Sequence, residues 1–400
     1  MTVEPVKLCA VTTISGTMRA FLTEQLVFLS HNGFDVTVIC DDDQDFARDC
    51  PPELRYVAVH MTRGVGLRST LVGCLRLLRL FRKERFDMVQ YATPKASLIS
   101  SIAGFVSGVP VRLYCQWGIR YVGFGGIPRR AFKLLEKLVC RLSTHVAPDS
   151  RGNLDFAIAE GLYLRAKGSV VHKGSANGVN VVKFDINSKQ LWRADKRAEM
   201  GLVQSSFVYG FVGRITGDKG INELVRAFLQ LASDDRDAFL VLVGQEENVD
   251  TLSPEVLEAI HHHSQIKSVG PKPNPQEYLA AMDVAVLPSY REGFGTVAIE
   301  AQAMGVPVIT TDIPGPREAV INGETGMLVP VADHTSLLAA MRRLRRDPVL
   351  VESMSCRAVS FARDNFEQNA FWQKVLEHRM ALLQQDGRRI GRSSSSRKRM

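Results

Sequence analysis

Twice along its 400 residues the chain alternates short apolar runs of strand length with longer amphipathic stretches of helix length, and that alternation leaves few folds open. Residues 6–13, 34–40 (FDVTVIC), 87–91 (DMVQY), 111–115 (VRLYC) and 145–148 read as strands, with an amphipathic helix over 16–32 after the first. A polar stretch near 187–201 interrupts the pattern, which restarts with strands at 207–213, 239–244, 266–270, 284–288 and 306–310. Strands joined through helices pair in parallel, so each half is expected to be a parallel sheet covered on both faces. The length suits two such α/β domains, and 45% hydrophobic with 23% charged residues is a globular composition. The expected division is 1–185, 186–365, a helix over 366–387 closing a helical tail that begins at 348, and a disordered, serine-rich basic tail at 388–400.

Several classes are excluded early. Seven cysteines stand at 9, 40, 50, 74, 115, 140 and 356 with no CxxC pair, which is neither a disulfide framework nor a zinc site and points to a reducing compartment. Residues 1–11 lack the apolar core of a signal peptide, and no uncharged apolar run reaches membrane-spanning length. A cytoplasmic location is therefore expected. The segment after the first strand, TISGT, has one glycine and no dinucleotide fingerprint; Gly16 reads instead as a point where a substrate can approach the backbone at an interdomain cleft. Asp41, Asp42 and Asp43 read as a solvated turn. His261, His262 and His263 are consecutive and do not share a helix face, so no metal site is expected there.

The chemistry concentrates in residues 288–305, PSYREGFGTVAIEAQAMG. A buried strand (VAVLP) leads into a tight loop and then a short helix from Thr296, so Glu292 sits beyond the carboxyl end of a strand, where open α/β sheets bind ligands. Glu300 falls one turn into the helix. Gly293 and Gly295 remove side chains, letting backbone N–H groups and the helix start face an anion. A second strand, FVYGFV, ends at Gly213 and Arg214, and Lys219 precedes a glycine that opens the helix INELVRAFLQLA. Two cations fixed near a strand end and a helix start suit a diphosphate leaving group.

GRITGDKG (213–220) followed by REGFGTVAIE (291–300) resembles the retaining glycosyltransferases of family 4. The resemblance covers about residues 6–385 and implies the GT-B architecture, two Rossmann-like doubly wound α/β domains facing across a cleft. TPKASLISSIAGFVSGVPVR (93–112) and GSANGVNVVKFD (174–185) look like the branch that elongates lipid-linked sugars for bacterial surface polysaccharides. By this resemblance Gly213, Arg214 and Lys219 meet the donor diphosphate, and Glu300 grips the donor ribose. Glu292, with the backbone of Gly293, Phe294, Gly295 and Thr296, contacts the donor sugar. Retention is commonly explained by front-face attack, in which the leaving phosphate helps deprotonate the acceptor; Glu292 then positions and stabilises, and Arg214 and Lys219 neutralise the leaving group without a metal. The nucleotide sugar is a substrate, so no cofactor is implied. In the first half CQWGIRYVGF carries Trp117 where many relatives have histidine, so a histidine contact to sugar is absent there and Trp117 is either a stacking platform or a packed indole. Lys95, Arg120 and Tyr121, with Gly16 and Trp117, are the candidate acceptor residues.

Charge distribution adds a partner. Between Arg55 and Arg141 sixteen Lys or Arg face three acidic residues, a net +13, against +8 for the whole chain. CLRLLRLFRKERF (74–86) interleaves leucines with cations, and Arg129, Arg130, Lys133, Lys137 and Arg141 recur at helical spacing. Such faces bind an anionic leaflet at about 1 kcal/mol per cation, or they are solvated helix faces. Nucleic acid is not expected, because no stacking aromatics are interleaved and no binding motif occurs. The combined expectation is a peripheral enzyme on the inner face of the cell membrane that moves a sugar from a nucleotide donor, a UDP-sugar, to a polyprenyl-diphosphate-linked acceptor. A transferase with a soluble small-molecule acceptor, a sugar-nucleotide epimerase and a catalytically silent binding subunit are the alternatives.

Overall fold

The structure is a computed structural model that describes residues 5–61 and 67–396; Arg63, the first four residues and the last four of the basic tail lie outside them. The chain divides into two compact units, Met1–Asn177 with Ala370–Met400, and Gly178–Asn369. The first unit contains β1 (Val6–Val11), β2 (Phe34–Cys40), β3 (Leu54–Ala58), β4 (Met88–Tyr91), β5 (Val111–Gln116) and β6 (His145–Pro148). These pair in parallel in the order β3-β2-β1-β4-β5-β6. The second contains β7 (Phe207–Val212), β8 (Ala238–Val243), β9 (Ile266–Gly270), β10 (Val284–Leu287), β11 (Val308–Thr311) and β12 (Gly326–Val329). Its order, β12-β11-β10-β7-β8-β9, is again parallel throughout.

Both orders are those of a doubly wound Rossmann sheet, in which the winding reverses beside the first strand. The reversal falls between β1 and β4 in one unit and between β7 and β10 in the other. Two strands were not expected from the sequence, β3 and β12, and both are sheet edges. An edge strand lacks a neighbour on one side. In β3 only Leu54 is fully buried, so no apolar run marks it.

Two helices break where one was expected. Over 16–32 the chain forms helices Ser15–Phe21 and Thr23–His31, and the Thr23 hydroxyl donates to the Met18 carbonyl at 3.0 Å across the break. The terminal tail forms Pro348–Phe366 and Gln368–Ser396, so the backbone stays helical past 387. At their junction Val179 donates to the Phe366 carbonyl (2.7 Å) and accepts from the Gln368 N–H (3.0 Å). The two crossings between the units, at 177–178 and 369–370, lie next to this bridge, earlier and later respectively than the 185 and 366 read from the sequence.

A buried charge organises the second unit. Arg197, on helix Lys189–Glu199, is fully buried and donates to Asp283 Oδ2 at 2.8 Å and to the carbonyls of Ala281, Gln204 and Ser206. Asp283 also accepts from the Val208 N–H at 2.7 Å and from Arg193 at 2.5 Å. A desolvated guanidinium is tolerated only when its donors are satisfied this fully. The pairing pins the helix to the roots of β7 and β10, the two strands that carry the site.

Candidate active site

The site is built where the second sheet reverses. After β7 the chain turns through Gly213 and a single 3-10 turn, Gly217–Lys219, to Gly220, which holds a left-handed φ of 72° and opens helix Ile221–Ala232. A Cβ on Gly220 would stand 2.0 Å from the Pro288 carbonyl oxygen, so the loops after β7 and β10 meet backbone to backbone. The Tyr290 N–H donates to the Asp218 carbonyl at 3.0 Å and ties them together. The result is an ion pair between Lys219 Nζ and Glu292 Oε1 at 2.5 Å, and the Ser289 hydroxyl donates to the same oxygen at 2.9 Å. Two residues 73 positions apart in sequence thus share one contact.

Two further charges beside this pair, Asp218 and Arg291, were not singled out from the sequence. Asp218 accepts from the Thr216 hydroxyl and from Arg291 Nη2, the latter at 2.9 Å. Burial works to raise the Asp218 carboxyl, but the Thr216 hydrogen bond with the cations Arg291, Lys219 and Arg214 outweighs it and holds the group below the usual carboxylate range. Arg214 itself pairs with Glu247 at 3.2 Å and is about half exposed. Asp218 and Arg291 each neighbour a residue the motif had marked, which is the one signal the sequence carried for them.

Gly295, at φ 83°, opens helix Thr296–Ala303, whose first turn receives no side-chain cap. Gly315 packs so closely on the Gly293 carbonyl that a Cβ there would lie 1.8 Å from the oxygen. The Phe294 side chain is buried against Phe366, with ring centroids 5.2 Å apart, so this residue lends the loop only its backbone. Glu300 is half-buried on the same helix, and its carboxyl has no hydrogen-bond partner among the described residues. Burial pushes its carboxyl up to about 7, with Lys183 pulling the other way.

In the first unit the candidates separate. Gly16 lies in the helix after β1, where a Cβ would meet only the Ile14 side chain, at 3.9 Å. Lys95, in the first turn of helix Pro94–Ser107 after β4, donates to the Ser69 hydroxyl at 3.0 Å. Arg120, after β5, lies over the Phe132 ring at 5.1 Å. Tyr121 is buried and donates to Glu160 at 3.1 Å. Lys95, Arg120 and Tyr121 line one pocket. Trp117 is not among its lining residues and packs on Phe21 at 5.7 Å. The aspartate run is more than a solvated turn: Asp43 caps helix Gln44–Asp49 through the Phe46 N–H, and Asp41 accepts from the Met61 N–H at 3.0 Å. No three His, Cys, Asp or Glu side chains gather to hold a metal among the described residues.

The family described as Glycosyl transferases group 1 matches residues 193–361, and that described as Glycosyl transferase 4-like domain matches residues 16–174. The chain is 30% identical over 351 residues to the capsular polysaccharide biosynthesis glycosyltransferase CapM of Staphylococcus aureus, covering 88% of this chain and 91% of that one. It is 27% identical over 354 residues to the UDP-Gal:alpha-D-GlcNAc-diphosphoundecaprenol alpha-1,3-galactosyltransferase of Escherichia coli, covering 86% and 88%. Among solved structures, Anabaena Alr3699/HepE in complex with UDP superposes with a TM-score of 0.72 at 18% identity, covering 94% of this chain and 100% of that one.

The glycine contact makes a direct prediction. Gly220→Ala adds a strained φ and a collision with the Pro288 carbonyl, and should cost at least about 2 kcal/mol of stability with a loss of turnover. Gly270→Ala, at the same φ of 72° but with open space around it, should cost only the conformational term of about 1 kcal/mol. Denaturant unfolding of both variants with parallel turnover assays checks the difference.

Proposed function

The chain belongs to the retaining GT-B glycosyltransferases of family 4, and from that premise we propose that it moves a sugar from a UDP-sugar to a polyprenyl-diphosphate-linked saccharide in surface polysaccharide synthesis. The observation that carries the reading is the Lys219–Glu292 pair beside the uncapped start of helix Thr296–Ala303, at the reversal between β7 and β10. A nucleoside diphosphate leaving as an anion is stabilised by cations and N–H donors already fixed where its charge develops. Lys219 and Arg214 supply the cations, and the backbone from Gly293 to Thr296 supplies donors at the positive end of a helix dipole. Glu292 already holds Lys219, so it orients that cation and meets the donor sugar's hydroxyls; the leaving phosphate takes the acceptor's proton on the same face, and configuration is retained. Glu300 accepts the ribose hydroxyls. The donor and acceptor named for the Escherichia coli relative support the substrate classes.

No helix is long and apolar enough to cross a membrane among the described residues. We read the first unit as held at the surface of an anionic leaflet. Helix Gly126–Leu142 leaves Ile127, Leu134 and Leu138 exposed among Arg130, Lys137 and Arg141. Helix Leu67–Glu84 exposes Leu71, Val72 and Leu75 beside Arg76 and Arg79. Both pack against the helix Pro94–Ser107. Apolar side chains ringed by cations suit an interfacial helix face.

Three outcomes check these statements. Radiolabel from a panel of nucleotide sugars should enter a polyprenyl-diphosphate fraction with the purified protein and bacterial membranes, and Glu292→Ala should lower that incorporation at least about 100-fold; label found only in water-soluble product refutes the lipid acceptor. The protein should co-sediment with phosphatidylglycerol vesicles and not with phosphatidylcholine vesicles, and Lys137→Glu with Arg141→Glu should abolish the difference. Glu300 accepts hydroxyl hydrogen bonds best when ionised. Its raised carboxyl is protonated below about 7 and charged above, so nucleotide-sugar affinity should rise as pH climbs through that value. Calorimetric titration across neutral pH should give a flat, weaker profile for Glu300→Gln; a wild-type profile equally flat would refute the role.

A further inference from the structure

The first unit has its own reversal, between β1 and β4, and just beyond the ends of β4 and β5 it holds a pocket of about 120 Å³. Helix Pro94–Ser107, helix Gly126–Leu142 and the turn Arg120–Gly123 wall it in, and Leu98, Phe132 and Val139 make its sides largely apolar. Two cations belong to its lining, Lys95 and Arg120.

Its remaining polar groups form a prepared surface. Glu136 Oε1 accepts from the Tyr114 hydroxyl at 2.9 Å and from Gln116 Nε2 at 2.6 Å. Gln116 is oriented in turn by the Tyr163 hydroxyl, which donates to its Oε1 at 3.0 Å. Three side chains are thus committed to fixing one carboxyl. Its second oxygen, Oε2, has no hydrogen-bond partner among the described residues. Ser97, 1% exposed and also lining the pocket, has a hydroxyl with no partner either. Burial raises the Glu136 carboxyl, with Gln116 and Tyr114 opposing.

Leaving buried polar atoms unpaired is unfavourable. An isoprenoid chain in this pocket would match the walls but strand Glu136 and Ser97 without water or partners. A sugar ring satisfies both demands: hydroxyls reach Oε2 and the Ser97 hydroxyl, and the C–H face of the ring lies on Phe132 and Leu98. Lys95 and Arg120 then stand where a diphosphate attached to that sugar would need countercharge. We infer that this pocket binds the saccharide of the lipid-linked acceptor, with Glu136 and Ser97 selecting it through its hydroxyls and Lys95 and Arg120 holding its diphosphate. The inference rests on the lipid-linked reading above. It adds two specificity-determining residues: Glu136, outside every motif, and Ser97, within the 93–112 stretch but not singled out there.

The test is steady-state transfer by the full-length protein from its UDP-sugar donor to a short-chain polyprenyl-diphosphate saccharide, with donor and acceptor varied separately. Glu136→Leu should raise acceptor KM at least about tenfold and leave donor KM within about twofold, since a site built for hydroxyls loses affinity when its polar partner goes. Leu135→Trp, at a partly exposed lining position, fills the pocket without touching the buried network and should give the same split; it decides the matter if Glu136→Leu fails to fold. Unchanged or tighter acceptor binding in folded Glu136→Leu would mean an apolar occupant and overturn the inference. Wild-type protein that transfers nothing to the lipid-linked acceptor would instead refute the lipid-linked reading itself, whereas an active wild type with two unaffected variants refutes only the pocket.

Discussion

The candidate site depends on a backbone contact, Gly220 against the carbonyl of Pro288. A methyl group at that position would stand 2.0 Å from the oxygen, so only glycine lets the loops after β7 and β10 come this close. From that approach follow the Tyr290-to-Asp218 hydrogen bond and the Lys219–Glu292 ion pair. The opposite loop is built on the same principle, with Gly315 pressed on the Gly293 carbonyl beneath the uncapped helix start. Both contacts bring backbone to backbone where a side chain would not fit.

The charges are arranged so that none of the central ones is isolated before substrate arrives. Lys219 is held by Glu292, Arg291 by Asp218, and Arg214 by Glu247. On the proposed reading, a diphosphate entering this site would exchange partners among cations that are already positioned, so little reorganisation would accompany its charge. Beneath the site, Arg197 and Asp283 fix the strand roots that the loops stand on. In the first unit the same economy recurs with neutral partners: Tyr163, Gln116 and Tyr114 orient Glu136 without neutralising it.

Local elements were legible wherever they are buried on both sides. Central strands such as FVYGFV and VAVL are continuous apolar runs, and the glycines after them mark the turns. Edge strands β3 and β12 were not: β3 has one buried residue in five, and β12 is only four residues with two partly exposed, so neither leaves a periodic mark. The break at Leu22 was also hidden, since it turns on one Thr23 hydroxyl bond inside an otherwise helical pattern. Within the site, the motif identified Lys219 and Glu292 but not their partnership, and it passed over Asp218, Ser289 and Arg291, whose roles exist only through contacts.

By itself the sequence determined the alternation of strands and helices, the two parallel sheets, and the family to which the chain belongs, because burial patterns and glycine positions are local properties of a chain. Only the tertiary structure decided which charges pair, which of the first unit's candidates line a common pocket, and that Trp117 packs on Phe21 outside it. Glu136 is the clearest case. In sequence it is one acidic residue in a basic amphipathic helix; in space it is a half-satisfied carboxyl fixed by residues 20 and 22 positions away. Distances of that kind are set by how helices pack on a sheet, and no local pattern encodes them.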